Sequence, residues 1–335
     1  LVLGILSFMC LPFVGAVLAI VFGLVGRGGI RRSEGELGGS GLATAGVVLG
    51  IVNLAIFVLF VAVMVPWSLL NIGKAQTISR VVTAQGAESL AAELEVRSGR
   101  LAVRGGPGDM FSGSFTYNVK QWEPEIDYHV SGKRGELSVR QGGDWWFPDL
   151  WFTRNEWDVS FNRDMPLDLV ARLNGGDADL DLGDVSLVSL DISSSSGDVT
   201  VNLSGDKPDL RRIGVEQGSG DVALDLSGAY KTYIQMDVES SSGDITVNLS
   251  GQWEGALGAS ITNSSGDVTL HLPQEVGVRV RARARSGDIN APGMNREGGE
   301  DGSVLYVNDA FRRSLVTLQI EVEVSSGDIT LLLAD

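Results

Sequence analysis

Through most of residues 165–335 apolar and polar positions alternate with a period of two. In the run Ile245, Thr246, Val247, Asn248, Leu249, Ser250 the three apolar residues fall on one face of an extended chain and the three polar ones on the other. The same pattern returns at Val199, Val201, Leu203, at Val222, Leu224, Leu226 and at Val268, Leu270, Leu272. A second alternating run accompanies each of these, at Leu190 and Ile192, Ile213 and Val215, Ile234, Met236 and Val238, then Val278, Val280 and Ala282. Strands of this length, two to a unit, need partners that repeat with them.

The repeat is marked by Ser-Gly-Asp, which opens the first strand of each unit. Its glycine and aspartate stand at Gly197 and Asp198, Gly220 and Asp221, Gly243 and Asp244, Gly266 and Asp267, Gly287 and Asp288, and Gly327 and Asp328, with a degenerate copy at Gly176 and Asp177. From Asp177 onward the gaps are 21, 23, 23, 23, 21 and 40 residues, the last close to two units with one signature lost. Glycine reaches positive φ without a Cβ clash, and aspartate bonds to its own following backbone, so the tripeptide reads as a turn. Self-similarity at this period predicts an all-β repeat, a β-solenoid of two stacked sheets with about 21–23 residues per coil.

The N-terminal pattern is different. Residues 1–25 and 37–73 contain no charged side chain. Each run is long enough to cross a bilayer, and two in tandem exceed a signal peptide, so residues 1–73 read as a two-span transmembrane hairpin. The loop 26–41 holds Arg27, Arg31 and Arg32, which places it in the cytoplasm and the C-terminal domain outside. Leu1 in place of Met suits a fragment, or a processed or mispredicted start. Residues 74–93 read as a polar linker, partly helical over 88–95. Residues 94–164 read as irregular N-terminal β coils and an aromatic cap, and 165–335 as the regular solenoid.

Composition adds candidate chemistry. The net charge is −16; residues 1–80 hold 5 basic and 2 acidic groups, leaving 21 and 40, a balance of −19, in the rest. An acidic domain repels nucleic acid and anionic lipid. Trp145, Trp146, Trp151 and Trp157 fall within thirteen residues and form either a plug over the open core or a surface for sugars or the membrane interface. Arg279, Arg281, Arg283 and Arg285 alternate with small apolar residues and so share one outer face. They suit an anionic glycan, or pairing with acids on adjacent coils. The run Asp177, Asp179, Asp181 resembles a calcium site but alternates with Ala178, Leu180 and Leu182, as a solvated strand face does. His129 and His271 are isolated in sequence, and no nucleophile, phosphate-loop or metal-ligand motif accompanies them. No cofactor is expected. Cys10 is the single cysteine, so one chain forms no disulfide.

The signature Ser-Ser-Gly-Asp-Val/Ile-Thr-Val/Leu-x-Leu, at residues 195–203, 241–249, 264–272 and 325–333, resembles the bacterial β-strand-repeat family of candidate adhesins. The hairpin with its basic, glycine-rich loop resembles a two-helix membrane domain of unknown function. These resemblances imply a β-solenoid at the cell envelope and supply no catalytic residues. Three functions follow as expectations: a non-catalytic adhesin-like binding or scaffold module, an envelope-stress sensor acting through membrane partners, and a polysaccharide-active enzyme. Surface glycan, envelope protein and membrane are the partners implied.

Overall fold

The computed structural model describes residues 12–32, 39–143 and 153–334. The chain divides into two units, Leu1–Gly73 and Lys74–Asp335.

The first unit contains helices α1 (Pro12–Arg32) and α2 (Ser40–Asn71). Small residues let their backbones approach. A Cβ on Gly23 would lie 3.0 Å from the Ala43 carbonyl oxygen, and one on Gly50 would lie 2.9 Å from that of Ala16. The faces turned away from this seam remain apolar, with Phe22, Leu24, Ile51, Val58, Leu59 and Phe60 exposed. Among the described residues one segment, Ser40–Phe60, is long and apolar enough to cross a bilayer. Of the two expected spans, α2 alone has the length and apolarity that crossing requires. Helix α1 ends on Arg31 and Arg32, and the first eleven residues of the other run lie outside the described part.

Among the described residues the second unit is mostly β, with mixed sheets of eleven and twelve strands and a narrow third sheet of three. Successive coils pair in parallel and in register, so identical positions stack: Val199 on Val222, Val222 on Ile245, Ile245 on Val268. In the facing sheet Ile213 stacks on Met236 and Met236 on Ala259. All of these side chains are buried, and the two sets close one continuous apolar core.

The Ser-Gly-Asp turns stack as well. Gly243 has φ +113°, and a Cβ there would lie 2.1 Å from the Gly220 carbonyl oxygen, so both conformation and space demand glycine. The aspartates act across coils rather than on their own following backbone. Asp198 donates its N–H to Asp177 Oδ1 at 3.1 Å, Asp221 to Asp198 at 2.9 Å, Asp244 to Asp221 at 2.9 Å and Asp267 to Asp244 at 2.8 Å. Stacking brings the next coil's amide to the carboxylate, which therefore serves the neighbouring coil.

The third sheet, absent from the two-sheet expectation, consists of the dipeptide strands Asp206–Lys207, Ala229–Tyr230 and Gln252–Trp253. Their inward residues form a column. Lys207, 1% exposed, donates to the carbonyls of Gly183 at 2.7 Å and Val185 at 3.1 Å. Tyr230 and Trp253 stack with centroids 4.4 Å apart, their polar tips bonded to the Leu203 and Leu249 carbonyls.

Both ends of the stack depart from sequence order. Strand Arg100–Gly106 lies between Asn155–Asn162 and Ala178–Asp181, and Ser89–Val96 lies between Arg134–Gln141 and Leu167–Leu173. At the other end Thr317–Ser326 inserts between Leu257–Ser265 and Gly277–Ala284. Ile329–Leu333 inserts likewise between Val268–Leu272 and Ile289–Asn290. The 40-residue gap is thus not two coils with a lost marker: it carries a hairpin-like excursion and a return. Antiparallel strands flank both ends, Phe111–Val119 on Asn155–Asn162, Pro124–Ser131 on Arg134–Gln141, and Val304–Val307 on Gly277–Ala284. They cover parallel edges that would otherwise template further pairing.

Residues 74–93 are not a partly helical connector. Residues 74–82 and 89–93 belong to strands Ile72–Val82 and Ser89–Val96, the latter with alternate residues buried, and only 83–88 connect them. Leu90, Ala92, Leu94 and Val96 gain more by facing the core than Glu88–Glu95 gain from helix propensity.

Candidate functional site

Strand Gly277–Ala284 buries Val278, Val280 and Ala282 and turns Arg279, Arg281 and Arg283 outward, with Arg285 following. Its parallel neighbour sets Gln319 beside Arg279, Glu321 beside Arg281 and Glu323 beside Arg283. The row then divides. Arg285 binds Glu323 Oε1 through Nε at 3.0 Å and Nη2 at 2.5 Å, with Arg283 at 4.0 Å from the same oxygen. Among the described residues Arg279 and Arg281 make no side-chain hydrogen bond or ion pair. One of the two expectations, pairing with acids on the neighbouring strand, therefore holds for half of the row.

The unpaired half borders a groove of about 450 Å³ on the outer face of the twelve-stranded sheet. Gln235, Ser260, Gln319 and Glu321 line it with the two arginines, and Leu305 of the flanking antiparallel strand closes one side. Its floor is strand Leu257–Ser265, where Gly258 and Ser260 occupy outward positions between bulkier neighbours. The Tyr233 hydroxyl stands over this floor: a Cβ on Gly258 would lie 2.4 Å from it. It donates to Gln235 Oε1 at 3.0 Å, and the tyrosine is 57% exposed. Sequence reasoning does not single out Tyr233, Gln235 or Gln319. Their signal is positional, visible only once the strands are placed side by side.

Trp157 lies in the core and forms no part of a ligand surface. It is 1% exposed, packs edge-on against Phe115 with centroids 5.1 Å apart, and donates from Nε1 to Asn155 Oδ1 at 3.0 Å. It belongs to the core of the N-terminal coils because its strand, Asn155–Asn162, buries alternate residues and position 157 is one of them. Trp145, Trp146 and Trp151 lie outside the described residues.

The remaining candidates are dispersed. Asp179 pairs with Arg100 at 3.3 Å and Asp181 accepts from Asn202 at 2.9 Å, so the acidic run is tied into its strand neighbours. Among the described residues no group of three or more His, Cys, Asp or Glu side chains gathers to hold a metal. His129 contacts Glu136 at 2.9 Å on an exposed antiparallel pair, and His271 lies in register with Asn248 on the opposite sheet. The turn residues from Gly197 and Asp198 through Gly327 and Asp328 form the inter-coil ladder.

Residues 71–218 are similar to the N-terminal domain of toast_rack, DUF2154, and residues 256–332 to Toastrack DUF4097. Residues 1–60 are similar to a domain of unknown function, DUF4190. No curated protein matches the chain. Among solved structures, a candidate cell adhesion protein from Clostridium sporogenes is similar at 24% identity, covering 78% of this chain and 100% of that one with a TM-score of 0.44. A candidate adhesin from Bacteroides fragilis is similar at 12% identity over 78% of this chain and 98% of its own, with a TM-score of 0.34.

Proposed function

We propose that the chain is a membrane-anchored, extracytoplasmic β-solenoid that works by non-catalytic binding, in the manner of an adhesin or scaffold. The observation that carries this reading is the outer face of the twelve-stranded sheet. There a stack of in-register strands fixes a polar groove and leaves two arginines without protein partners among the described residues. A surface held by ladder hydrogen bonds loses little conformational freedom on binding, which favours recognition. The apolar outer faces of α1 and α2 and the basic end of α1 support anchoring by both helices with the arginines in the cytoplasm.

The test is protease accessibility of a C-terminal tag in intact against permeabilised cells. Loss of the tag in intact cells is the expected result. Protection that disappears only on permeabilisation would reverse the topology and end the surface-binding reading.

A further inference from the structure

We infer that the groove over strand Leu257–Ser265 binds an acidic glycan of the uronic-acid class, with Arg279 and Arg281 contacting its carboxylates. The inference rests on reading this sheet face as a binding surface.

Parallel, in-register pairing writes the site as two rows across the strands. One row runs Gln235, Gly258, Gln319, Arg279; the next runs Asp237, Ser260, Glu321, Arg281. At about 4.8 Å per strand each row spans roughly 14 Å. In each row the second position has the smallest side chain; the Tyr233 hydroxyl fills the space over Gly258, and the surface dips at Ser260 between Asp237 and Glu321. A trough results, with amide, hydroxyl and carboxylate groups at its walls and two guanidinium groups at one end. Arginine presents a planar fork that matches a carboxylate, and these two have no such partner among the described residues.

The other groups select among anions. Glu321 stands beside Arg281, Asp237 lies in the same row, and the chain carries −16 overall. A long polyanion such as nucleic acid, extending past the two arginines over the acidic surface around them, would be repelled. A uronate differs, because each ring adds several hydroxyls to its single carboxylate. Those hydroxyls donate to Glu321 and exchange hydrogen bonds with Gln319 and Ser260, while Gln235 and Asp237 are held by Tyr233 and by each other. Tyr233 at the rim supplies an exposed aromatic ring, whose apolar face suits the C–H face of a sugar. An acidic peptide would also satisfy the arginines, but it offers a single backbone N–H per residue where each uronate ring offers several hydroxyls beside its carboxylate.

Calorimetric titration of the full-length protein in detergent with tetragalacturonate tests the inference. Binding is expected, weakening as salt is raised. Replacing both arginines (Arg279→Gln with Arg281→Gln) is expected to weaken it by roughly tenfold or more, and Tyr233→Ala by a smaller factor. Arg283→Gln with Arg285→Gln should leave it unchanged, since Glu323 already holds those side chains. All of these positions are on the outer face, and matching circular dichroism spectra verify folding of each variant. Neutral tetragalactose should bind weakly or not at all. Absence of tetragalacturonate binding, an unchanged affinity in the Arg279/Arg281 variant, or tighter binding of a tetraglutamate peptide would overturn the inference. Cellular topology is read by the protease experiment alone, so the two readings fail separately.

Discussion

At the residue scale, stacking turns ordinary turn chemistry into a constraint between coils. A glycine in an isolated turn needs only its positive φ, whereas Gly243 also needs the space taken by the Gly220 carbonyl. Gly132 has φ +62° and open space for 4 Å around the point a Cβ would occupy, so it separates the two demands. Gly132→Ala is expected to cost about 1 kcal/mol from backbone strain, and Gly243→Ala more than about 3 kcal/mol, as read by urea denaturation. Lys207 makes a second residue-scale prediction. Burial lowers its pKa below the ordinary lysine value, opposed by Asp184, Asp206 and Asp181. The folded state therefore sheds this proton before the unfolded state does. Between the lowered value and about 10.4 the unfolded chain holds more protons, so this group makes stability rise with pH. Melting temperatures measured from neutral to alkaline pH should show the wild type gaining on Lys207→Met as pH approaches about 10.4. Tyr230, whose pKa burial raises, acts in the opposite sense in both proteins above about pH 10, because only the unfolded chain then loses its proton.

At the element scale, Trp157 anchors the N-terminal coils through Phe115 and Asn155. Trp157→Ala is expected to destabilise the β unit by about 3–5 kcal/mol, measured by denaturant titration followed by near-ultraviolet circular dichroism. The inserted strand Thr317–Ser326 predicts a local effect. Val322→Asp places a charge in its buried row and should strip amide protection from Gly277–Ala284 while Val199–Asn202 stays protected in hydrogen exchange. Equal loss in both strands would mean that the stack opens as a single unit. The sequence discloses these elements unevenly. Val199, Val222, Ile245 and Val268 announce their rows because β-branched and leucine residues recur at fixed spacing. Leu257, Ala259 and Ile261 are just as buried, but Gly258 and Ser260 between them blur the contrast. Ile72–Val82 is exposed along most of its length and offers no alternation to read. The arginine row is visible in the sequence, and its division is not. Whether Glu321 or Glu323 neutralises a given arginine depends on the insertion of Thr317–Ser326 beside it.

At the scale of the whole molecule, spatial order cannot be deduced from repeats that resemble one another. A row of Val, Ile and Leu accepts any other such row in parallel register, so the apolar pattern permits several stacking orders. The chain's own excursions choose among them. Residues 291–316 break the parallel coil order with an antiparallel pair at the sheet end, and the chain returns one coil earlier; the placement of Asn155–Asn162 outside Arg100–Gly106 does the equivalent near the start. Each terminal region is thereby locked by a strand that arrives after its neighbours in sequence. This has a consequence for how such a molecule can change over time. The ends are distinct and self-closing, while the middle coils share one spacing of 23 residues and one set of contacts. A duplication or loss of a whole 23-residue unit in the middle rejoins matching surfaces and leaves both ends untouched, whereas a unit gained or lost at either end breaks an interleave. Growth is confined to the interior, like a bookshelf extended between fixed bookends.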